Sequence, residues 1–196
     1  MAHYFTNEND LPSEIEKVNI TIRDTKYYIY TDNGVFSKGK LDLGTEILLK
    51  TFEFSNTQEK SILDIGCGCG PIGIYLLKQG FVVDMSDINK RAIHLTKRAL
   101  KEQNLEANVI ESNAYENINS KYDYIVSNPP IRVGKEILYD IVMNAKSHLN
   151  KKGEVWLVVR KDKGAESLVR DMKKIYNAVE IVEKKKGYFI IKAVGE

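Results

Sequence analysis

Two clusters of residues in this sequence have the types and spacing to do chemistry. The first is "LDIGCGCGPIG", Leu63 to Gly73. Gly66, Gly68 and Gly70 let the chain turn sharply and let a ligand approach backbone N–H groups closely. Pro71 suits the first turn of a helix. Asp64 precedes the loop, and a carboxylate there repels phosphate. It favours a ligand with a positive group, such as the amino-acid end of S-adenosylmethionine. Asp87, at the end of the next apolar run, stands where an acid can take both hydroxyls of a ribose. Asp84 is its rival, but comes earlier in that run and reads as structural. A lone glycine would be an ordinary tight turn; three at this spacing, with Asp64 and Asp87, point to a cofactor site.

The second cluster is Ser127-Asn128-Pro129-Pro130-Ile131, directly after the apolar run Tyr124-Ile125-Val126. Two prolines fix the backbone and remove two N–H donors at one spot. The Asn128 side-chain carbonyl and the Pro129 backbone carbonyl can then point at one NH2 group, with Pro130 holding them rigid. Accepting both hydrogens favours the more sp3-like nitrogen of a transition state whose lone pair meets an electrophilic methyl. Alone, Asn-Pro would be a turn that ends a strand; beside a cofactor loop it reads as catalytic.

The elements that must position these residues alternate. Lys17–Arg23 and Lys26–Thr31 predict a hairpin behind a loose arm, and Leu43–Phe54 a helix with Asp42 as its N-cap. Strands are expected at Ser61–Ile65, Phe81–Ser86, Ala107–Glu111, Tyr122–Val126 and Glu154–Val159. Helices are expected at Pro71–Gln79, Lys90–Gln103, Lys135–Leu149 and Ala165–Ile175. Ala178–Glu183 and Tyr188–Val194 flank a turn and predict a final hairpin, adding an antiparallel strand at one edge. The fold class is therefore α/β, a mostly parallel sheet with helices on both faces. Residues 1–33 form an arm and hairpin extension, and 34–196 the main domain. The 196 residues suit one core, with 43% hydrophobic and 29% charged residues, as in an ordinary globular protein. No apolar run approaches the ~20 residues of a membrane span, and the polar N-terminus has no secretory signal. A cytoplasmic monomer is expected. Cys67 and Cys69 are too close for disulfide geometry and too few for zinc, so no metal is expected. No acid–base role falls to His3, His94 or His148. A net charge of +2 neither demands nor excludes nucleic acid.

These motifs resemble class I S-adenosylmethionine-dependent methyltransferases. "LDIGCGCGPIG" is similar to their first motif, "SDINKRAI" (Ser86–Ile93) to their acidic second-strand motif, and "SNPPI" to the N-P-P-aromatic motif of amino-methyltransferases. "GVFSKGKLDLGTEILL" (Gly34–Leu49) and "NPPIRVGK" (Asn128–Lys135) resemble the small-subunit ribosomal RNA guanine-N2 methyltransferases and their single-domain relatives. The resemblance covers roughly Tyr27 to Val194. It implies a Rossmann-like seven-stranded sheet with the last strand antiparallel, and S-adenosylmethionine as cofactor. Carried over by position, it implies that Asp64, Gly66, Gly68 and Gly70 line the methionine end, with Cys67 also among the cofactor-binding residues. Asp87 would hold the ribose, Ile88 cover the adenine, and Asn113-Ala114 lie at its edge. Phe36 and Thr45 would flank the methyl-transfer site, and Asn128 and Pro129 grip the target amine. Two departures stand out. Ile131 replaces the aromatic residue that stacks on the target base, a task Phe36 could take over. The best-known enzymes of the group also carry a second, inactive copy of the domain, where this chain has only its short arm.

Basic residues fall in loops expected at the carboxyl ends of the strands: Lys38, Lys40, Arg132, Lys135, Arg160, Lys161 and Lys163, with Lys184–Lys186 able to extend them. They are expected to ring the mouth and contact ribosomal RNA, free or in the small subunit, with Ile131 against the base. Lys151-Lys152 are expected on the opposite side. The expectation is methylation of an exocyclic amine of RNA, guanine N2 of 16S ribosomal RNA. The alternatives are protein-glutamine methylation, adenine-N6 methylation, and a non-catalytic RNA-binding module.

Overall fold

The computed structural model describes residues 11–53, 60–129 and 135–196. Strands β1 (Glu16–Ile22) and β2 (Thr25–Thr31) pair antiparallel as a separate two-stranded sheet, closed at Ile22↔Thr25. Arg23 makes the turn with φ of 50°. Ile20, Ile22, Tyr27 and Ile29 face inward, and the hairpin packs against helices α2 (Pro71–Lys78) and α3 (Lys90–Glu102). Gln103 pairs with both backbone groups of Tyr28, which ties the hairpin to the end of α3.

The main sheet has seven strands. They are β3 (Ser61–Ile65), β4 (Val82–Asp87), β5 (Asn108–Glu111), β6 (Tyr122–Ser127), β7 (Leu149–Arg160), β8 (Ala178–Lys185) and β9 (Tyr188–Val194). Their order is β5-β4-β3-β6-β7-β9-β8, parallel from β5 to β7 and antiparallel where β9 meets β7 and β8. The final hairpin supplies the antiparallel edge, with β9 inside the sheet and β8 outermost. Composition explains which strand goes where. In β9, YFIIKAV, the side chains of Phe189, Ile190, Ile191 and Ala193 are buried, on both faces, whereas β8, AVEIVEKK, alternates exposed and half-buried. The interior place requires two apolar faces.

The period of two divides the core between the faces. Val155, Leu157 and Val159 of β7 pack with α4 (Lys135–Asn144) and α5 (Ala165–Met172), while Trp156 and Val158 pack on the other face with α1 (Leu43–Thr51), α2 and α3. Strand β7 begins earlier than expected, so the predicted long helix ends at Asn144 and a short 3-10 turn over Ala145–His148 leads into it. Lys151 and Lys152 therefore lie in the strand, exposed. Helix α1 stops at Thr51, with Asp42 as its N-cap: the Asp42 carboxylate accepts from the Thr45 N–H at 3.0 Å.

Candidate active site

Strand β3 has β4 on one side and β6 on the other, so the connections leave its carboxyl end in opposite directions and open a crevice there. The glycine loop fills the base of it. Gly66, Gly68 and Gly70 all have positive φ, at 71°, 55° and 81°. Backbone N–H groups of Gly66 and Cys67 both donate to the Ser86 carbonyl at the end of β4. Asp87 then anchors the loop tip. One of its carboxylate oxygens accepts from Gly68 N–H at 2.7 Å and the other from Asn89 N–H at 2.8 Å. Burial raises the Asp87 pKa, and these backbone donors oppose the rise.

Above the loop lies a cavity of about 980 Å³, at the upper end of the range for ligand pockets. Gly66, Cys67, Gly68, Asp87 and Ile88 form one wall, and Ser112, Asn113 and Ala114 another. Ala114 has a φ of 45°, held by the Ser112 hydroxyl on its carbonyl. The Asn113 amide turns outward and donates to Glu116. Phe36, Thr45, Asn128 and Pro129 line the opening. Both cysteines border the cavity as free, buried thiols, and burial pushes both pKa values up, which disfavours the thiolate form.

Two members of the expected cofactor set lie elsewhere. Asp64 is completely buried beneath the loop and does not border the cavity. One of its oxygens accepts from Gly73 N–H at 2.8 Å, in the first turn of α2. The N-cap of that helix is Gly70, which has no side chain to offer, so Asp64 caps α2 from behind. Burial raises its pKa to about 7. Gly70 also faces away: a Cβ there would meet Thr96 Cγ2 at 2.8 Å, so this glycine allows α3 to approach the loop. The Thr96 hydroxyl completes that contact by donating to the Gly68 carbonyl. Asp84 is bonded to Asn108 and Tyr122.

The orientation of the Asn128 side chain is fixed by its neighbours. Its Nδ2 donates to Asp42 Oδ2 at 2.8 Å and to Thr45 Oγ1 at 2.9 Å. A carboxylate only accepts, so the group facing Asp42 must be the NH2 and cannot be the carbonyl. Both amide hydrogens are thereby taken, and the Asn128 Oδ1 remains as an acceptor; Asn128 and Pro129 both border the cavity. Asp42 serves twice, capping α1 and setting this amide. Its sequence context shows only the cap.

A family model, the methyltransferase small domain, matches residues 26–192. The chain belongs to the methyltransferase small domain family. S-adenosylmethionine is the methyl donor of that family. The Bacillus subtilis protein YbxB is 34% identical over 97% of both chains. Ribosomal RNA small subunit methyltransferase C of Pasteurella multocida is 40% identical over 66% of this chain, which spans only 41% of that enzyme. A Thermus thermophilus structure described as a 16S rRNA N2 methyltransferase in complex with AdoMet and guanosine superposes with a TM-score of 0.86. It is 23% identical, over 95% of this chain and 52% of that one, and it shares the fold.

The basic residues expected at the rim of this methyltransferase domain fall into two groups among the described residues. Arg160, Lys163 and Lys40 border the cavity, with Arg160 gripped in two-pronged fashion by Asp162. Lys38 is turned away to Glu14, Glu16 and Asn33. Lys161 points to Glu166 at 4.0 Å and does not border the cavity. Pro130, Ile131 and Arg132 lie outside the described residues, as does the side chain of Lys135. Besides Asp42, sequence reasoning missed Tyr188, which also borders the cavity. It packs over Gly44, where a Cβ would sit 2.9 Å from the ring. Nothing in the local sequence connects these two positions.

Proposed function

We propose that this protein is an S-adenosylmethionine-dependent N-methyltransferase acting on an exocyclic amine of RNA, guanine N2 of small-subunit ribosomal RNA. The observation that carries the proposal is the locked amide of Asn128, which leaves one carbonyl oxygen as an acceptor beside the cofactor loop. The name of the Pasteurella multocida relative and the description of the Thermus thermophilus structure support the same reading. The donor set fits the cofactor. Glycine backbone at Gly66 and Gly68, Asp87, Ile88 and the Asn113-Ala114 turn all border the same cavity. These residues would hold S-adenosylmethionine, which supplies an electrophilic methyl group on a sulfonium. Asn128 Oδ1 and the Pro129 carbonyl would accept the two hydrogens of the target amine and orient its lone pair. The interaction strengthens as the nitrogen becomes positive, so it lowers the barrier. Arg160, Lys163 and Lys40 would receive RNA phosphates at the mouth.

The test is incubation with labelled S-adenosylmethionine and undermethylated small ribosomal subunits, their naked RNA, or a release-factor-like protein, with products identified by mass. Label in N2-methylguanosine is the expected result. Label in N6-methyladenosine or in glutamine overturns the substrate assignment, and label in none of the three overturns the activity.

A further inference from the structure

Asp42 has one oxygen committed and one in reserve. Its Oδ2 accepts from Thr45 N–H and from Asn128 Nδ2. Among the described residues its Oδ1 makes no hydrogen bond, and the residue borders the cavity. A negatively charged acceptor therefore stands one hydrogen bond away from the group that grips the target amine. We infer that Asp42 is the base-reading residue of the site, accepting the ring N1–H of guanine through Oδ1. This inference rests on the RNA N-methyltransferase reading and extends it to base selection.

The argument is the pattern of donors beside each candidate amine. In guanine the 2-amino group is flanked by N1–H, a donor. In adenine the 6-amino group is flanked by N1, and in cytosine the 4-amino group by N3, both bare acceptors. A glutamine side chain sets its carbonyl oxygen beside the NH2. A carboxylate next to the amine clamp makes a charge-assisted hydrogen bond with the first. It meets a lone pair in each of the other three and leaves two acceptors facing each other without a proton. Sites built on hydrogen bonds reject such mismatches far more strongly than sites built on shape. The same residues thus divide the recognition: Asn128 with Pro129 takes the amine, and Asp42 tests the ring atom beside it. Because Asp42 also fixes which face of the Asn128 amide is presented, reading the base and presenting the acceptor depend on one carboxylate.

The experiment uses an RNA segment around the nucleotide that the wild-type protein labels, carrying at that position either guanine or 2-aminopurine. The latter keeps the 2-amino group and replaces N1–H by a lone pair. Transfer rates are measured with S-adenosylmethionine, and equilibrium affinities with S-adenosylhomocysteine bound, so that a slow variant is still informative. Wild type should prefer guanine in kcat/KM by about 100-fold or more. Asp42→Asn retains a good helix cap. Its amide oxygen can keep the Thr45 and Asn128 bonds while its NH2 faces the ring nitrogen, so the preference should collapse or invert in rate and in affinity. Asp42→Ser also caps α1 but is too short to reach the base, and should bind the two RNAs nearly equally. Wild-type preference retained by both variants, in affinity as in rate, overturns the role of Asp42 and leaves the enzyme reading intact. Label only in adenine or glutamine with the wild-type protein overturns both.

Discussion

At the scale of single residues, the site depends on groups whose hydrogen-bonding sense is fixed by a neighbour. Asn128 is the clearest case. Replacing it by alanine removes the acceptor, and methyl transfer should fall by ~10²–10³, as when one transition-state hydrogen bond is removed, while isothermal titration shows S-adenosylmethionine affinity retained. Asn128→Asp is the sharper variant, because it sets a second carboxylate 2.8 Å from that of Asp42. Repulsion should destabilise the fold by roughly 1–3 kcal/mol, and adding Asp42→Asn should restore much of that in urea unfolding. Asp64 has the opposite problem, burial without a counter-charge. Its pKa rises to about 7 in the folded protein from about 3.9 in the unfolded chain. Between these values the folded state holds the extra proton, so stability falls as pH rises from about 4 to 7 and is level above that. The reversed sign is unusual for an aspartate. The full difference is on the order of 4 kcal/mol. Asp64→Asn should flatten the slope of thermal stability between pH 5 and 7.5. Carboxylates with lowered pKa, such as Asp123 and Asp171, act mostly below that window.

At the scale of elements, the glycine loop holds its shape because helices and strands press on it from three sides. Gly73 lies where α2 crosses β4, and a Cβ there would come within 2.4 Å of the Met85 sulfur. Gly73→Ala should therefore cost ~1–3 kcal/mol by overpacking. The double variant with Met85→Ala should be destabilised by less than the sum of the two single effects, read from a denaturant-unfolding cycle. The arm and hairpin also bear on the site. Arg91 of α3 donates to the carbonyls of Leu11 and Asn33, and Asn89 donates to the Gly34 carbonyl. These bonds hold the segment containing Phe36 over the cavity, so the extension contributes to the pocket wall rather than hanging free of it.

At the scale of the whole molecule, the final hairpin brings further lysines close to the mouth. The end of β8 carries Lys184 and Lys185 and the turn after it Lys186, all exposed, and the Lys161 N–H donates to the Gly187 carbonyl at 2.8 Å. This bond seats the turn beside Arg160 and Lys163 at the cavity rim. Changing the three lysines to glutamine should weaken RNA binding. It should also lower the slope of log affinity against log salt by ~0.7 for each phosphate that is no longer neutralised. Filter binding across a salt series measures this, with cofactor affinity as the unchanged control.

The sequence by itself determined the alternation of strands and helices, the glycine loop with Asp87 after it, and the Asn128-Pro129 pair. Each is carried by residues adjacent in the chain, and local backbone chemistry dictates what they do. The tertiary structure alone decided three further matters. It placed β9 inside the sheet, because pairing depends on which strand can bury both faces. It moved Asp64 and Gly70 out of the cavity, because residues on one loop can face opposite directions once helices pack behind it. And it joined Asp42 to Asn128, 86 positions apart, because a hydrogen bond across such a distance exists only after β6 and α1 have been brought to the same end of the sheet.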